Sequence, residues 1–342
     1  MNSTTRVLST IFTVALLTAC GSGTDTPAME ETPAEATSLT IQEWPVEWQD
    51  SRPRDPYVAP DGRVWFCGQR SGYLAVFDPA TGEMTKYDLG EGAGPHNLIV
   101  DDAGMVWYAG NRRAHIGMLN PETGEITQYA MPREDARDPH TLIWAPDGNI
   151  WFTLQGSNMV GHLDRTTGEV QLLDVPTEGA RPYGIWLDSN HEPWVALFGT
   201  NKLAHVEPAT LTLTEIELPH EDTRPRRLVV TSDDRVWVGD YTRGYLGAYN
   251  PADGSYAEWA LPSGASSRPY AMQVDEEDRV WVVETGVDPN LFVAFDTATE
   301  TFLSPGPVPS GGGTVRHMYY DAAEGAIWFG TDTNYLGKAT LP

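Results

Sequence analysis

Cysteine is nearly absent from this chain. Cys20 and Cys67 are the only two in 342 residues, which excludes a disulfide framework and a zinc site built on paired cysteines. Positive charge is scarce as well: 22 Lys and Arg stand against 48 Asp and Glu, for a net charge of −26. That balance argues against nucleic acid or an anionic lipid surface as partner and is first of all a device for solubility. No long stretch carries apolar residues at spacings of three and four, so helix should be almost missing. A serine elbow, a phosphate-binding glycine loop and a His-rich zinc motif are also lacking, and those chemistries drop out with them. What the chain has in quantity is 33 Gly, 26 Pro, 12 Trp and 14 Tyr, a composition suited to short strands joined by tight turns.

The first 19 residues read as a targeting segment. Arg6 supplies the positive start, and "VLSTIFTVALL" is an apolar run too short for a confident membrane span. It ends in Leu17-Thr18-Ala19-Cys20, which resembles the lipobox of bacterial lipoproteins. That resemblance implies cleavage before Cys20, its lipidation, and residence in the cell envelope at the outer membrane, facing the periplasm, with the lipid anchor as the sole membrane contact. Residues 20–38 are small, polar and acidic, and are expected to form a flexible tether. Cys67 then stands alone on an apolar strand, where a small buried hydrophobe is the better reading than a nucleophile.

Residues 39–342 are built from an internal repeat. Tryptophan recurs at Trp65, Trp107, Trp151, Trp194, Trp237, Trp281 and Trp328, spaced by 42 to 47 residues. Each follows a turn such as "APDGRVW" or "APDGNIW", and is followed by a polar loop, a strand, a "TGE"-like turn and a last strand. Four short strands in about 43 residues is the unit of a β-propeller blade. The fold expected is therefore all-β: a seven-bladed β-propeller with the tryptophans packed between blades. The seventh repeat stops at its third strand, while "SLTIQEWPV" (38–46) precedes the first repeat. This N-terminal strand should complete the last blade and close the ring.

Strand direction places two sets of side chains around the mouth of the central channel. After the proline position the repeats carry Arg54, His96, His140, Tyr183, Arg226, Tyr270 and Arg316; just past the tryptophan they carry Gln69, Asn111, Gln155, Phe198, Asp240, Glu284 and Asp332. Two histidines on adjacent blades, with arginines on three others, suit a substrate bearing a carboxylate, phosphate or sulfate, or a carbonyl that gains charge. For any single arginine, pairing with a neighbouring carboxylate is the simpler role. His96 and His140 occupy equivalent positions side by side, which favours function. Tyr183 and Tyr270 serve equally well as substrate platform or filler, and Tyr270 stays among the catalytic candidates.

The repeats "RPYGIWLDSN", "NKLAHVEPATLTLTEIELP" and "IGMLNPETGEITQYAMP" resemble those of the streptogramin (virginiamycin B) lyases over essentially all of residues 39–342. The resemblance implies a seven-bladed propeller that opens an ester-containing ring without water, using Mg²⁺ and a histidine base. It places the key histidines after the prolines of the sixth and seventh repeats, where this sequence has Tyr270 and Arg316. A glutamate is implied four residues past the seventh tryptophan, where Asp332 stands. Thr314 and Val315 replace the acidic residue and proline expected before Arg316. The chain thus looks like a divergent relative that lacks the family's catalytic histidine positions.

Together these readings describe a monomeric, membrane-anchored carbon–oxygen lyase acting on a small ester, lactone or uronate-like molecule. His140 or His96 would be the base, with a pKa near neutral. Arg54, Tyr183, Arg226 and Arg316 would hold the substrate, and Mg²⁺ would sit near Glu284 or Asp332. The alternatives are a non-catalytic ligand- or protein-binding propeller and a metal-dependent lactonase or esterase. Convergence of His96, His140, Arg226, Arg316 and Glu284 in one place would favour an enzyme. Salt-bridged arginines plugging the channel would favour binding.

Overall fold

Each repeat folds as an antiparallel sheet whose strands follow one another from the channel outward. The computed structural model describes residues 39–342; the targeting segment, Cys20 and the acidic tether lie outside the described residues. Blade three shows the pattern: Pro139–Trp144 is innermost, followed by Ile150–Leu154, Met159–Leu163 and Val170–Asp174. Among the described residues the only helical turns are Asn111–Arg113 and Gly264–Ser266.

A four-stranded sheet has two apolar faces and cannot bury either alone, so blades stack face to face. The core accordingly divides into seven clusters, one at each interface between neighbouring blades. Trp151 packs with Ile185 and Val195 of the next blade, and Trp328 of blade seven packs with Phe66 and Phe77 of blade one. The seven repeated tryptophans are packing residues, as expected. Several carry a bracket that fixes the indole: Trp107, Trp194 and Trp281 donate their Nε1–H to the carboxylates of Asp101, Asp188 and Asp275, six residues earlier. Cys67 is fully buried in the first of these clusters.

The ring closes as the sequence predicts. Thr40–Pro45 adds antiparallel to Tyr335–Thr340 and becomes the outer strand of blade seven. Trp44 then stacks on Trp328 at 5.5 Å between ring centroids and lies 5.0 Å from Phe77. Because Trp44 is only half-buried, Trp44→Ala should lower stability by somewhat less than the roughly 3–5 kcal/mol typical of a fully buried aromatic. Denaturant unfolding of the variant checks this, and an unchanged midpoint would mean that the strand is not part of the cooperative unit.

The inner strands have one irregularity that shapes the channel. In blades three, four, five and six the register shifts directly after the proline position, for example between Pro139 and Leu142, and in blade one it shifts a residue later, between Arg54 and Tyr57. A bulge of this kind re-aims side chains. In blades one, three and five two consecutive residues, rather than one, therefore contribute to the contacts around the axis: Arg54 and Asp55, His140 and Thr141, Arg226 and Arg227.

Candidate functional site

The first ring of channel residues forms a continuous aromatic and cationic cluster. His96 and His140 lie with ring centroids 3.6 Å apart, and His140 is 4.1 Å from Tyr183. The Tyr183 and Tyr270 hydroxyls share a short hydrogen bond. The guanidinium carbon of Arg226 sits 3.4 Å from the Tyr270 ring centre, and that of Arg316 sits 5.8 Å from it. Arg54, His96, His140, Tyr183 and Tyr270 are all buried, whereas Arg226 and Arg316 are half-buried at the mouth with Phe198 and Tyr241.

The residue one step beyond each first-ring position is Asp55, Asn97, Thr141, Gly184, Arg227, Ala271 or His317, none of which the sequence reading included; Asp55, Asn97, Thr141 and Arg227 meet in the channel as a second layer, whereas Ala271 packs into the core between blades six and seven. Arg227 spans the channel. Its Nε donates to the backbone carbonyl of Arg316 at 3.2 Å, its Nη1 donates to Thr141 Oγ1 at 3.3 Å, and its Nη2 lies 3.7 Å from Asp55. Asp55 also accepts from Arg54 Nε at 2.7 Å and from Asn97 Nδ2 at 2.9 Å, while Asn97 Oδ1 accepts the Leu142 N–H at 2.8 Å. Gly184 is glycine for a spatial reason: a Cβ there would meet the Arg227 Cα at 2.8 Å. The one sequence signal for this layer was the run of polar residues one step beyond the first ring, which a strictly alternating strand would have turned away from the channel.

These contacts set the protonation states. Burial, followed by the charges of Arg54 and His140, pushes His96 well below the ordinary imidazole range; burial, followed by Arg227 and Arg54, does the same to His140. The expectation of a histidine base with a near-neutral pKa is therefore corrected: both rings are neutral and weakly basic because they are desolvated beside cations. Burial pushes Asp55 up, but Arg54, with His317 and Arg227, outweighs it and holds the carboxyl far below the usual carboxylate range. Burial also pushes Tyr270 up, yet Arg226, Arg54, Arg227 and Arg316 together overcome it and bring the phenol down to about 8. Tyr183 moves the other way, raised by burial and by the neighbouring charge of Tyr270.

The expected metal ligands are engaged elsewhere. Glu284 is fully buried, but it takes the Ser263 N–H at 3.0 Å on one oxygen and the Ser263 hydroxyl on the other, bracing the loop between blades five and six. Asp240 is likewise consumed by a loop, accepting the N–H groups of Arg224, Thr242 and Arg243. Asp332 accepts from Arg316 Nε at 3.0 Å and from Arg316 Nη2, with Arg52 3.6 Å away. With Glu284 taken up by Ser263 and Asp332 by Arg316 and Arg52, these carboxylates do not fit a Mg²⁺ site, which takes unpaired oxygen donors and several waters. Away from the channel, Asp188, Glu192 and His205 come together, with His205 Nε2 2.8 Å from Glu192. Asp188 there serves the tryptophan bracket that recurs in other blades, so the group is explained without a metal. Ser263→Ala should cost about 1–3 kcal/mol of stability by leaving a buried Glu284 oxygen without its hydroxyl partner. A thermal melt unchanged from wild type would contradict that role for Glu284.

The site thus gathers His96, His140, Tyr183, Tyr270, Arg54, Arg226 and Arg316 in one cluster and leaves Glu284 out of it. Its arginines are only partly salt-bridged. Arg316 and Arg54 have carboxylate partners, whereas Arg226 has none among the described residues.

The profile of the virginiamycin B lyase family matches residues 33–288, well over half of the chain. The chain belongs to the virginiamycin B lyase family. The matched segment ends before Thr314, Arg316 and Asp332, where the sequence departs from the pattern its resemblance implied; Tyr270 lies within it. Virginiamycin B lyase from Staphylococcus aureus is 23% identical with a TM-score of 0.80, over 89% of this chain and 100% of the other. A catalytically inactive histidine-to-alanine variant of that lyase with quinupristin is 24% identical with the same TM-score and coverage. The extracellular domain of a chain described as a hybrid two-component system from B. thetaiotaomicron matches at 17% identity and a TM-score of 0.69, over 87% of this chain and 42% of the other. At these identities the structures share the propeller fold with this family member. No curated protein matches the chain.

Proposed function

We propose that this protein is a carbon–oxygen lyase in which the Tyr270 phenolate is the base. The observation that carries the reading is the position of the Tyr270 ring, stacked at 3.4 Å against Arg226 and hydrogen-bonded through its hydroxyl to Tyr183. A phenol brought to about 8 is ionised in part near neutral pH and retains enough basicity to remove a proton next to a carbonyl. Tyr183, which holds its own proton, donates to the phenolate and keeps it aimed.

The substrate is an ester, lactone or uronate-like molecule with an acidic C–H beside its carbonyl and an oxygen leaving group on the next carbon. Tyr270 takes the proton, the C–H electron pair becomes the new C=C bond, and the C–O bond breaks. The leaving oxygen recovers the proton from Tyr270. No water is consumed. Thr141 Oγ1 accepts from Arg227 and lies 2.8 Å from His140 Nδ1, and in the tautomer that serves this reaction it donates its hydroxyl hydrogen to that nitrogen. His140 then carries its hydrogen on Nε2, a buried atom with no partner among the described residues, where it can donate to the developing enolate oxygen. Mg²⁺ enters no step of this scheme.

Lipidation at Cys20 and tethering through residues 20–38 would hold a monomeric propeller at the outer membrane, facing the periplasm. Incubation with depsipeptides, lactones and uronates, followed by mass spectrometry, tests the reaction. Products that together equal the substrate mass and carry a new double bond support elimination. Addition of one water would instead indicate a lactonase or esterase.

A further inference from the structure

Four guanidiniums, from Arg54, Arg226, Arg227 and Arg316, converge on the channel, but among the described residues only two carboxylates, Asp55 and Asp332, meet them. In a chain of net charge −26 this local excess of cation is conspicuous. Two carboxylates cannot neutralise four guanidiniums, so positive charge is left without a carboxylate partner among the described residues.

The unpaired charge can be assigned by elimination. Arg316 gives two nitrogens to Asp332. Arg54 gives Nε to Asp55 at 2.7 Å and Nη1 to Gln69 Oε1 at 3.2 Å. Arg227 has the Arg316 carbonyl and Thr141 as acceptors, with Asp55 3.7 Å away. Arg226 has one long contact, Nη2 to Tyr183 Oη at 3.5 Å, and its buried Nε has no hydrogen-bond partner. Its guanidinium carbon lies 3.4 Å from the ring centre of Tyr270, 4.6 Å from that of Tyr241, 4.8 Å from that of Phe198 and 5.1 Å from that of Tyr183. Those rings attract the charge through their faces but supply no acceptor for its N–H fork. A planar oxyanion is the complement of such a fork. Arg54 Nη2, on a side chain only 2% exposed, and Arg227 Nη2, which reaches Asp55 only at 3.7 Å, are further buried donors with no hydrogen-bond acceptor among the described residues, but Arg226 alone of the four has no carboxylate within 4 Å among those residues.

We propose that Arg226 anchors a carboxylate carried by the substrate, so that the molecule turned over is an alkoxy acid of uronate type rather than a neutral ester or lactone. This rests on the lyase reading above. A carboxylate beside the acidic C–H disfavours proton removal because a second negative charge must form next to the first. Pairing with Arg226 offsets that charge as Tyr270 accepts the proton, the C=C bond forms and the β C–O bond breaks. The same contact sets the reacting carbon beside Tyr270, since Arg226 and the Tyr270 ring are already in contact.

Calorimetric titration of acetate, methoxypropionate and glucuronate, each against its methyl ester, tests the anchor separately from turnover. At least one acid is expected to bind saturably where its ester does not. Arg226→Gln should weaken that binding by roughly tenfold or more, and Arg226→Lys, which keeps the charge but loses the fork, should weaken it less. Esters that bind as well as the acids, an affinity unchanged in Arg226→Gln, or no binding by any of the three acids would overturn the proposal. The two readings fail in different ways. Acid binding without turnover removes the lyase and leaves the anchor, whereas turnover of a neutral lactone that Arg226→Gln does not impair keeps the lyase and removes the anchor.

Discussion

Replacing Tyr270 by phenylalanine is expected to lower kcat/KM for elimination by about 10²–10⁴-fold, the range lost when a general base is removed. The ring and its stacking on Arg226 survive the change, so substrate binding should weaken far less than turnover. The pH dependence identifies the base. A phenolate must form before it can accept a proton, so kcat/KM should rise with pH and level off above about 8, the value to which the four guanidiniums bring Tyr270. A histidine base would give a different profile. His96 and His140 are held well below the ordinary imidazole range by burial and by neighbouring cations, so a rate set by either would already be flat from mildly acid pH upward. The His140→Ala variant separates the roles further: it should lose activity as an enolate donor is lost, yet keep the same pH midpoint.

Asp55→Ala is expected to destabilise the fold by about 3–5 kcal/mol, the loss typical when one partner of a buried ion pair is removed. Asp55 is fully buried, and its carboxylate is the counter-charge for Arg54 and for the channel-spanning Arg227. Without it, two buried cations face one another with no anion between them. Because the folded carboxyl titrates far below the usual carboxylate range, its contribution is fully present at neutral pH. It fades below about pH 4 as the pH falls toward the folded value. Urea unfolding at neutral and at acid pH should therefore show wild-type stability converging on that of the variant as the pH drops. Equal stabilities at neutral pH would mean that Asp55 does not hold the channel together.

The architecture was legible because a repeat leaves the same mark seven times. Tryptophans at fixed spacing, turns before them and a spare strand ahead of Pro53 are sufficient to specify blades, packing faces and the closure of the ring by Thr40–Pro45. The first ring of channel residues was legible for the same reason: it follows from strand direction alone. The second layer was not. The bulge after the proline position breaks the two-residue alternation on which the placement of Asp55, Thr141 and Arg227 would depend, and nothing local in "PRDPYV" or "PRRLVV" announces it. The expected metal ligands failed for another reason. Glu284 and Asp332, like the mouth residue Asp240, occupy the predicted positions, but a carboxylate's role depends on what its neighbours offer. Ser263, the Arg224, Thr242 and Arg243 amides, and Arg316 reach them through loops whose path the sequence does not reveal. Protonation states were hidden as well, since a histidine beside a histidine looks basic until the surrounding arginines are placed.

The most direct measurement is a spectrophotometric titration of the tyrosines in the folded protein, comparing wild type with Tyr270→Phe. One phenol should ionise with a midpoint of about 8 in the wild type and be missing from the variant. Arg226→Gln should move that midpoint upward, because Arg226 is the largest of the charges that pull it down. If no tyrosine of the wild type ionises below the ordinary phenol range, Tyr270 is not held as a phenolate, and the account of the channel as a lyase site built on it is wrong.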